Sequence, residues 1–279
     1  YTTSSIIQLW NVDTQRVIQE YSFYDPSGYY GDSTILGFSP DSRFFAVADN
    51  PFVPLRIWNV QNPGAVYRTL ETRPYGDVQA VAFSPDDKQI LVGMDRGLHL
   101  WSLVDSSEAA IDFAPFGQAA TVSSLAFSPD GSTALITDGN SGVSLWDLHS
   151  RSLIRQFNTQ SDEVSQAVFS PGDGRFILML GKAGASLWDT KSGQHQHDYS
   201  GGLLGVFSPD GRSVITGEYD DKANTTMLAL WDLETGNKIR SIGPLPGSVG
   251  GLGVAPDGKS IYYGIGDRVV WWSQDSGSP

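Results

Sequence analysis

His195 and His197, two imidazoles separated by Gln196, are the residues with the plainest capacity for chemistry. Side chains alternate along a strand, so residues two apart share a face, and such a pair offers two nitrogens to one metal ion. No third ligand can be assigned to them, and two solvated histidines on an outer strand is the simpler reading. Glu218, Asp220 and Asp221 carry the oxygen ligands that Ca²⁺ takes, but their spacing matches no Ca²⁺ loop. Asp138-Gly139-Asn140-Ser141-Gly142 opens like such a loop and lacks the later bidentate carboxylate. Asn224-Thr225-Thr226 satisfies the N-glycosylation pattern, which has meaning only in a secreted eukaryotic protein.

The sequence has no Gly-x-Ser-x-Gly elbow, no phosphate-binding Gly-x4-Gly-Lys-Ser/Thr and no His-Glu-x-x-His. With no cysteine there are no disulfides, thiolate metal sites or cysteine nucleophiles. The expectation is a protein that is not an enzyme and holds neither metal nor cofactor. The net charge of −13 repels phosphate backbones and favours cationic partners, so nucleic acid is an unexpected ligand. No apolar run approaches the ~18 residues of a membrane span, which predicts a chain without membrane insertion. A cytoplasmic location is the expectation, although no motif marks the compartment. The chain begins with Tyr1 rather than Met, from which an upstream segment is expected.

Binding residues are better represented than catalytic ones. Tyr24, Tyr29, Tyr30, Tyr75, Phe116 and Tyr219 fall in predicted connections rather than at alternating core positions, where amphipathic rings serve as anchors for a partner. Arg96, Asp220 and Asp221 lie in the same class of connection, and acidic residues outnumber basic ones there. That balance points to a protein or peptide partner with basic side chains. The other reading is an acidic solvated surface, with the rings packed over sheet edges.

The elements that position these connections are repeats. Residues 122–157 contain four runs rich in β-branched and apolar residues, Val122–Phe127, Thr133–Thr137, Gly142–Leu148 and Ser152–Phe157, which predict four strands. Phe-Ser-Pro-Asp or a relative recurs at Phe38–Asp41, Phe83–Asp86, Phe127–Asp130, Phe169–Asp173, Phe207–Asp210 and Val254–Asp257. Pro fixes φ, Asp bonds its own backbone and Gly accepts φ > 0, so each marks a tight reversal. A tryptophan then follows at Trp10, Trp58, Trp101, Trp146, Trp188, Trp231 and Trp272. A period of about 40–45 residues with four strands in each is the mark of a propeller blade. The Trp is too large to be left wet on a sheet and is expected to fill the space between neighbouring sheets.

With Leu-Trp-Asp at Leu145–Asp147, Leu187–Asp189 and Leu230–Asp232, the chain resembles the WD40-repeat β-propellers over essentially all its length. The resemblance implies an all-β fold, a β-propeller of four-stranded antiparallel blades in one domain, residues 1–279. Residues 1–23 would supply the last two strands of an incomplete first blade, residues 34–273 six further repeats, and residues 274–279 a tail. Seven blades are favoured, with six the alternative if Arg16–Phe23 closes the last blade. The family commonly closes its ring by lending an N-terminal strand to the last blade.

Such propellers bind partners at the end formed by the fourth-to-first and second-to-third connections. The two expanded second-to-third loops are read as Asp49–Leu55 and Glu218–Thr226. This sequence lacks the Gly-His of the family and has its turn Asp only as Asp95, so the polar network built on them is expected to be largely missing. The implied function is a non-catalytic protein or peptide interaction scaffold, or a sensor module, within a larger multidomain protein, with other domains of the same polypeptide among its partners. The alternatives are a metal-assisted, lactonase-like propeller hydrolase and a glycan or small-molecule receptor.

Overall fold

The computed structural model describes residues 5–11, 14, 16–23, 34–48, 54–62, 66–72, 76–95, 97–105, 122–138, 142–159, 163–202, 204–266 and 268–273. Within them the chain is all-β, with no helix. It divides into two compact units, Tyr1–Leu125 and Ala126–Pro279.

In the first unit, β1 (Ser5–Asn11) pairs with β2 (Arg16–Phe23), and β3 (Thr34–Phe38), β4 (Phe44–Ala48), β5 (Leu55–Asn59) and β6 (Val66–Leu70) form a four-stranded sheet. A three-stranded sheet of β7 (Val78–Phe83), β8 (Gln89–Met94) and β9 (Gly97–Ser102) follows. The strand β10 (Val122–Phe127), in which the division falls, is described with β11 (Thr133–Asp138), β12 (Val143–Asp147) and β13 (Ser152–Phe157). The second unit continues with β14 (Val164–Phe169), β15 (Phe176–Gly181), β16 (Gly184–Asp189) and β17 (His195–Tyr199), then β18 (Leu204–Phe207), β19 (Ser213–Asp220), β20 (Thr225–Asp232) and β21 (Lys238–Pro246). It closes with the three strands β22 (Val249–Val254), β23 (Ser260–Ile265) and β24 (Arg268–Ser273). Every ladder is antiparallel and every sheet runs in sequence order, as in propeller blades.

Two kinds of turn hold these strands in register. At the first-to-second reversal, a serine hydroxyl donates to the aspartate two residues on: Ser39 to Asp41 (2.8 Å), Ser84 to Asp86 (2.7 Å), Ser128 to Asp130 (2.6 Å) and Ser208 to Asp210 (2.6 Å). The same oxygen accepts the amide of the next strand, as Ser128 does from Thr133 at 3.0 Å. The carboxylate then accepts the amide two residues further, from Arg43, Ser132 or Arg212. An Arg or Lys after this Asp therefore bonds through its main chain, which is why Ser132 serves as well. Only Arg43 and Lys88 add a side-chain ion pair to their turn carboxylates among the described residues.

At the third-to-fourth turn the aspartate of Leu-Trp-Asp has its own task. Asp147 Oδ1 accepts both the amide (2.6 Å) and the hydroxyl (2.8 Å) of Ser150, and Asp189 and Asp232 do the same with Ser192 and Thr235. The pattern is Asp-x-x-Ser/Thr, a side chain standing in for a turn of backbone.

The tryptophan is placed by packing and by a bulge. In β1–β2, β5–β6, β12–β13, β16–β17 and β20–β21 the register slips by one residue at the Trp, leaving Ile18, Tyr67, Ile154, Gln196 and Ile239 as extra residues on the outer strand. Three residues beyond each, Tyr21, Leu70, Phe157, Tyr199 and Ile242 are buried. These meet the Trp of the following sheet: Tyr21 lies 5.4 Å from Trp58, Phe157 6.0 Å from Trp188 and Tyr199 5.4 Å from Trp231, measured between rings. Such ring pairs add about 0.5–1.5 kcal/mol to the burial of their area. Trp58, Trp101, Trp188, Trp231 and Trp272 thus fill the space between sheets as expected, whereas Trp10, on a two-stranded sheet, is 51% exposed.

A second departure concerns the polar network. In three sheets the indole N–H is satisfied without Gly-His or the turn Asp. Trp146 donates to Ser144 and Trp188 to Ser186, both at 2.9 Å and both two residues back on the same strand. In β20 that position is Ala229, and Trp231 donates instead to Thr216 at 2.9 Å, the residue paired with Ala229 across the ladder. Thr216 passes its own proton to the Ser200 carbonyl at 2.7 Å, so the relay ends on the preceding sheet.

Replacing Thr216 by Val leaves a buried N–H unsatisfied, and urea unfolding should show a loss of about 1–3 kcal/mol. Adding Ala229→Ser should restore most of it, because serine at that position is what Trp146 and Trp188 use; a double variant no more stable than the single would refute the relay.

Turn carboxylates also set an acid limit. Burial opposes ionisation of Asp41, but the Arg43 amide, the Ser39 hydroxyl and the Arg43 guanidinium bring its pKa down to about 2. The Ser84, Ser128 and Ser208 hydroxyls lower Asp86, Asp130 and Asp210. A pKa depressed on folding gives stability that is complete above the unfolded value, about 3.9, and is lost as pH falls toward the folded one. Urea midpoints should therefore drop between about pH 5 and pH 2, with a shallower drop in Asp130→Asn.

Candidate functional site

The bulge decides the fate of the histidine pair. Because Gln196 is the extra residue, His195 pairs with Trp188 and His197 with the adjacent Leu187, so the two imidazoles point to opposite faces of the sheet. His195 stands 5.2 Å from the Trp188 ring and places Nε2 2.8 Å from Asp198 Oδ1. His197 lies on the other side, donating from Nε2 to the Glu234 carbonyl (3.2 Å) in the next sheet. Gly236 permits that approach, since a Cβ there would fall 2.6 Å from the ring and its φ is 69°. Simple alternation fails here, and with it the two-ligand metal site. Among the described residues no group of three or more His, Cys, Asp or Glu is placed to hold a metal ion.

His197 has a counterpart. The residue after the bulge in β13 is Arg155, whose Nη2 donates to the Lys191 carbonyl at 3.1 Å across Gly193. Each is a clasp from an outer strand onto the third-to-fourth turn of the following sheet.

Of the residues expected to bind a partner, Tyr219, Asp220 and Asp221 are described, and they share one hairpin. The stretch Glu218–Thr226, expected as a loop, is mostly strand: β19 runs to Asp220 and β20 begins at Thr225, leaving a four-residue turn. The pairing continues through Glu218↔Met227, Tyr219↔Thr226 and Asp220↔Thr225, and β21 extends beside it to Pro246. Gly243–Val249, also expected as a connection, is strand to Pro246 for this reason. Thr225 and Thr226 are β-branched, and a sheet with two long ladders gains cross-strand contacts that a loop cannot. Asp220 Oδ1 accepts the amides of Lys222 and Ala223, and Tyr219 donates its hydroxyl to Asn224 Oδ1 at 2.9 Å. Asp220 is thus engaged in shaping the turn, while Asp221 is exposed.

The glycosylation pattern is absorbed by the same hairpin. Thr226 is buried, donates to the Gly247 carbonyl at 2.8 Å and accepts the Val249 amide, so its hydroxyl belongs to the fold. Tyr24, Tyr29, Tyr30, Tyr75, Arg96 and Phe116 lie outside the described residues, as do Pro51, Phe52 and Val53. No described helix is long and apolar enough to cross a membrane.

Repeated antiparallel sheets, six of them turning between their first two strands at a Pro-Asp or Pro-Gly-Asp reversal and carrying a Trp on the third strand, define a protein of propeller-type repeats. WD40 repeats are detected in two segments: the family model described as WD domain, G-beta repeat matches residues 64–102 and 114–147. A WD repeat-containing protein of Schistosoma mansoni, SL1-17, is 28% identical over 152 residues, 54% of this chain and 46% of that protein. Protein groucho of Drosophila melanogaster is 26% identical over 222 residues, 77% of this chain and 24% of its own length. An uncharacterized WD repeat-containing protein of Synechocystis is 27% identical over 132 residues, 46% of this chain and 36% of its own. The chain therefore spans from about a quarter to just under half of these relatives.

Because the two imidazoles face apart, Zn²⁺ titrated into the protein should show the same calorimetric profile in wild type and in His195→Gln/His197→Gln. A site lost only in the double variant would contradict the register given above.

Proposed function

We propose that this chain is a non-catalytic protein-interaction module, one part of a longer polypeptide, that takes its partner at the end where the β19–β20 hairpin projects. The observation that carries the reading is the contrast between uniform and individual parts. The first-to-second turns repeat one set of hydrogen bonds, whereas β19, β20 and β21 extend to eight, eight and nine residues. A rigid repeated scaffold with one elaborated element is how recognition is usually built. The WD40 repeats and the WD-repeat relatives support the general class.

At the hairpin tip, Tyr219 offers a half-buried ring whose hydroxyl is already oriented by Asn224, and Asp221 offers an exposed negative charge. An aromatic anchor beside a carboxylate suits a basic peptide segment.

The test is affinity capture from the source organism with the full-length protein, comparing wild type with Tyr219→Ala/Asp221→Lys after both are shown to fold. The expected result is a specific partner recovered by wild type and depleted at least about ten-fold by the variant, the loss of roughly 1.4 kcal/mol. Equal recovery by both proteins would remove the hairpin from the interface.

A further inference from the structure

A cleft of about 560 Å³ opens between the sheet ending in β13 and the sheet β14–β17. That is a volume typical of ligand sites. Its floor is made of Val164 and Met179, both buried; Trp188 and Ser186 form one wall, and His195 and Asp198 stand at the rim. Asp198 is 77% exposed and bonded to His195. Among the described residues no lysine or arginine pairs with it, and none lies over Trp188. Ser186 accepts the Trp188 N–H, and no described residue accepts the hydroxyl proton of Ser186 in turn.

The neighbouring sheet shows what such a place accommodates. Trp231 is paired with Lys238 where Trp188 is paired with His195, and the Lys238 Nζ lies 4.8 Å from the Trp231 ring centroid. In β17 the shorter histidine is held back by Asp198, with its ring at 77° to the indole, and the space that a long cationic side chain would occupy stays open.

We infer that this cleft seats a lysine or arginine side chain of an extended partner segment. Its aliphatic stem lies on Val164, Met179 and Trp188, its cation donates to Asp198, and Ser186 donates to a main-chain carbonyl of the segment. The Asp198 carboxylate stands open at the rim, where a cation reaches it without burial, and the chain's net charge of −13 favours the encounter. The inference rests on the reading of the chain as a protein-interaction module and adds a second contact away from the hairpin tip.

Three peptides test it: acetyl-Ala-Ala-Lys-Ala-Ala-amide and its arginine and norleucine counterparts, titrated into the ¹⁵N-labelled chain while the Trp188 indole resonance is followed. That resonance is assigned with Trp188→Phe. Lysine and arginine peptides should shift it saturably and norleucine should not. Asp198→Asn should weaken binding about two- to five-fold, the value of an exposed ion pair, while Glu234→Gln, at an exposed carboxylate in the next sheet, should leave it unchanged. Equal binding of the norleucine peptide, indifference to Asp198→Asn, or no shift with either cationic peptide at millimolar concentration would overturn the inference. Partner capture through Tyr219 and Asp221 would survive that failure, so loss of the cleft and loss of the interaction reading are separable.

Discussion

An indole has to be buried between two sheets while its N–H finds an acceptor there, and most of the local architecture follows from that requirement. Burial comes from the sheet before, whose outer strand ends in Tyr21, Phe157 or Tyr199 against the Trp of the sheet after. The acceptor comes from Ser144, Ser186 or Thr216. Ser and Thr exchange places between β19 and β20 without changing the bond, because residues 216 and 229 face each other across one ladder. What these three sheets share is one hydroxyl within reach of one nitrogen. An unsatisfied N–H in an apolar interface costs at least as much as a whole hydrogen bond gains, so a hydroxyl beside Trp146, Trp188 and Trp231 is the economical arrangement.

Strand positions were readable from the residues. The four runs expected in residues 122–157 appear as Val122–Phe127, Thr133–Asp138, Val143–Asp147 and Ser152–Phe157, each within a residue or so of its expected bounds. Turn chemistry announces itself because Pro, Gly, Asp and Ser act locally, on backbone two to five residues away. Asp-x-x-Ser/Thr after the Trp was equally visible in the letters and could have been found by aligning Asp147, Asp189 and Asp232.

The bulge was not visible. Its extra residue is isoleucine in three cases, tyrosine in one and glutamine in one, because the slip is imposed by the Trp and its neighbours rather than by the bulged residue. That is why alternation misplaced His195 and His197. The hairpin was misjudged for a related reason: Asp220, Asp221, Lys222 and Asn224 read as a polar loop, but the long ladders of β19 and β20 are a tertiary outcome that local polarity does not reveal. A polar tip carried on an extended sheet is a stiffer support for Tyr219 than a loop of the same length, which bears on how sharply it can discriminate partners.

The bulged outer strands bear on self-association. In sheet after sheet the strand at the outer edge presents large apolar side chains, with Ile18 56%, Tyr67 48%, Ile154 49% and Ile239 55% exposed. A straight edge decorated in this way would template pairing with a second molecule and lead toward fibrils. Here each of those side chains sits on the residue that breaks the ladder, so an incoming straight strand loses register where the apolar attraction is greatest. The kink that lets the Trp be buried also keeps the protein from growing into sheets with itself.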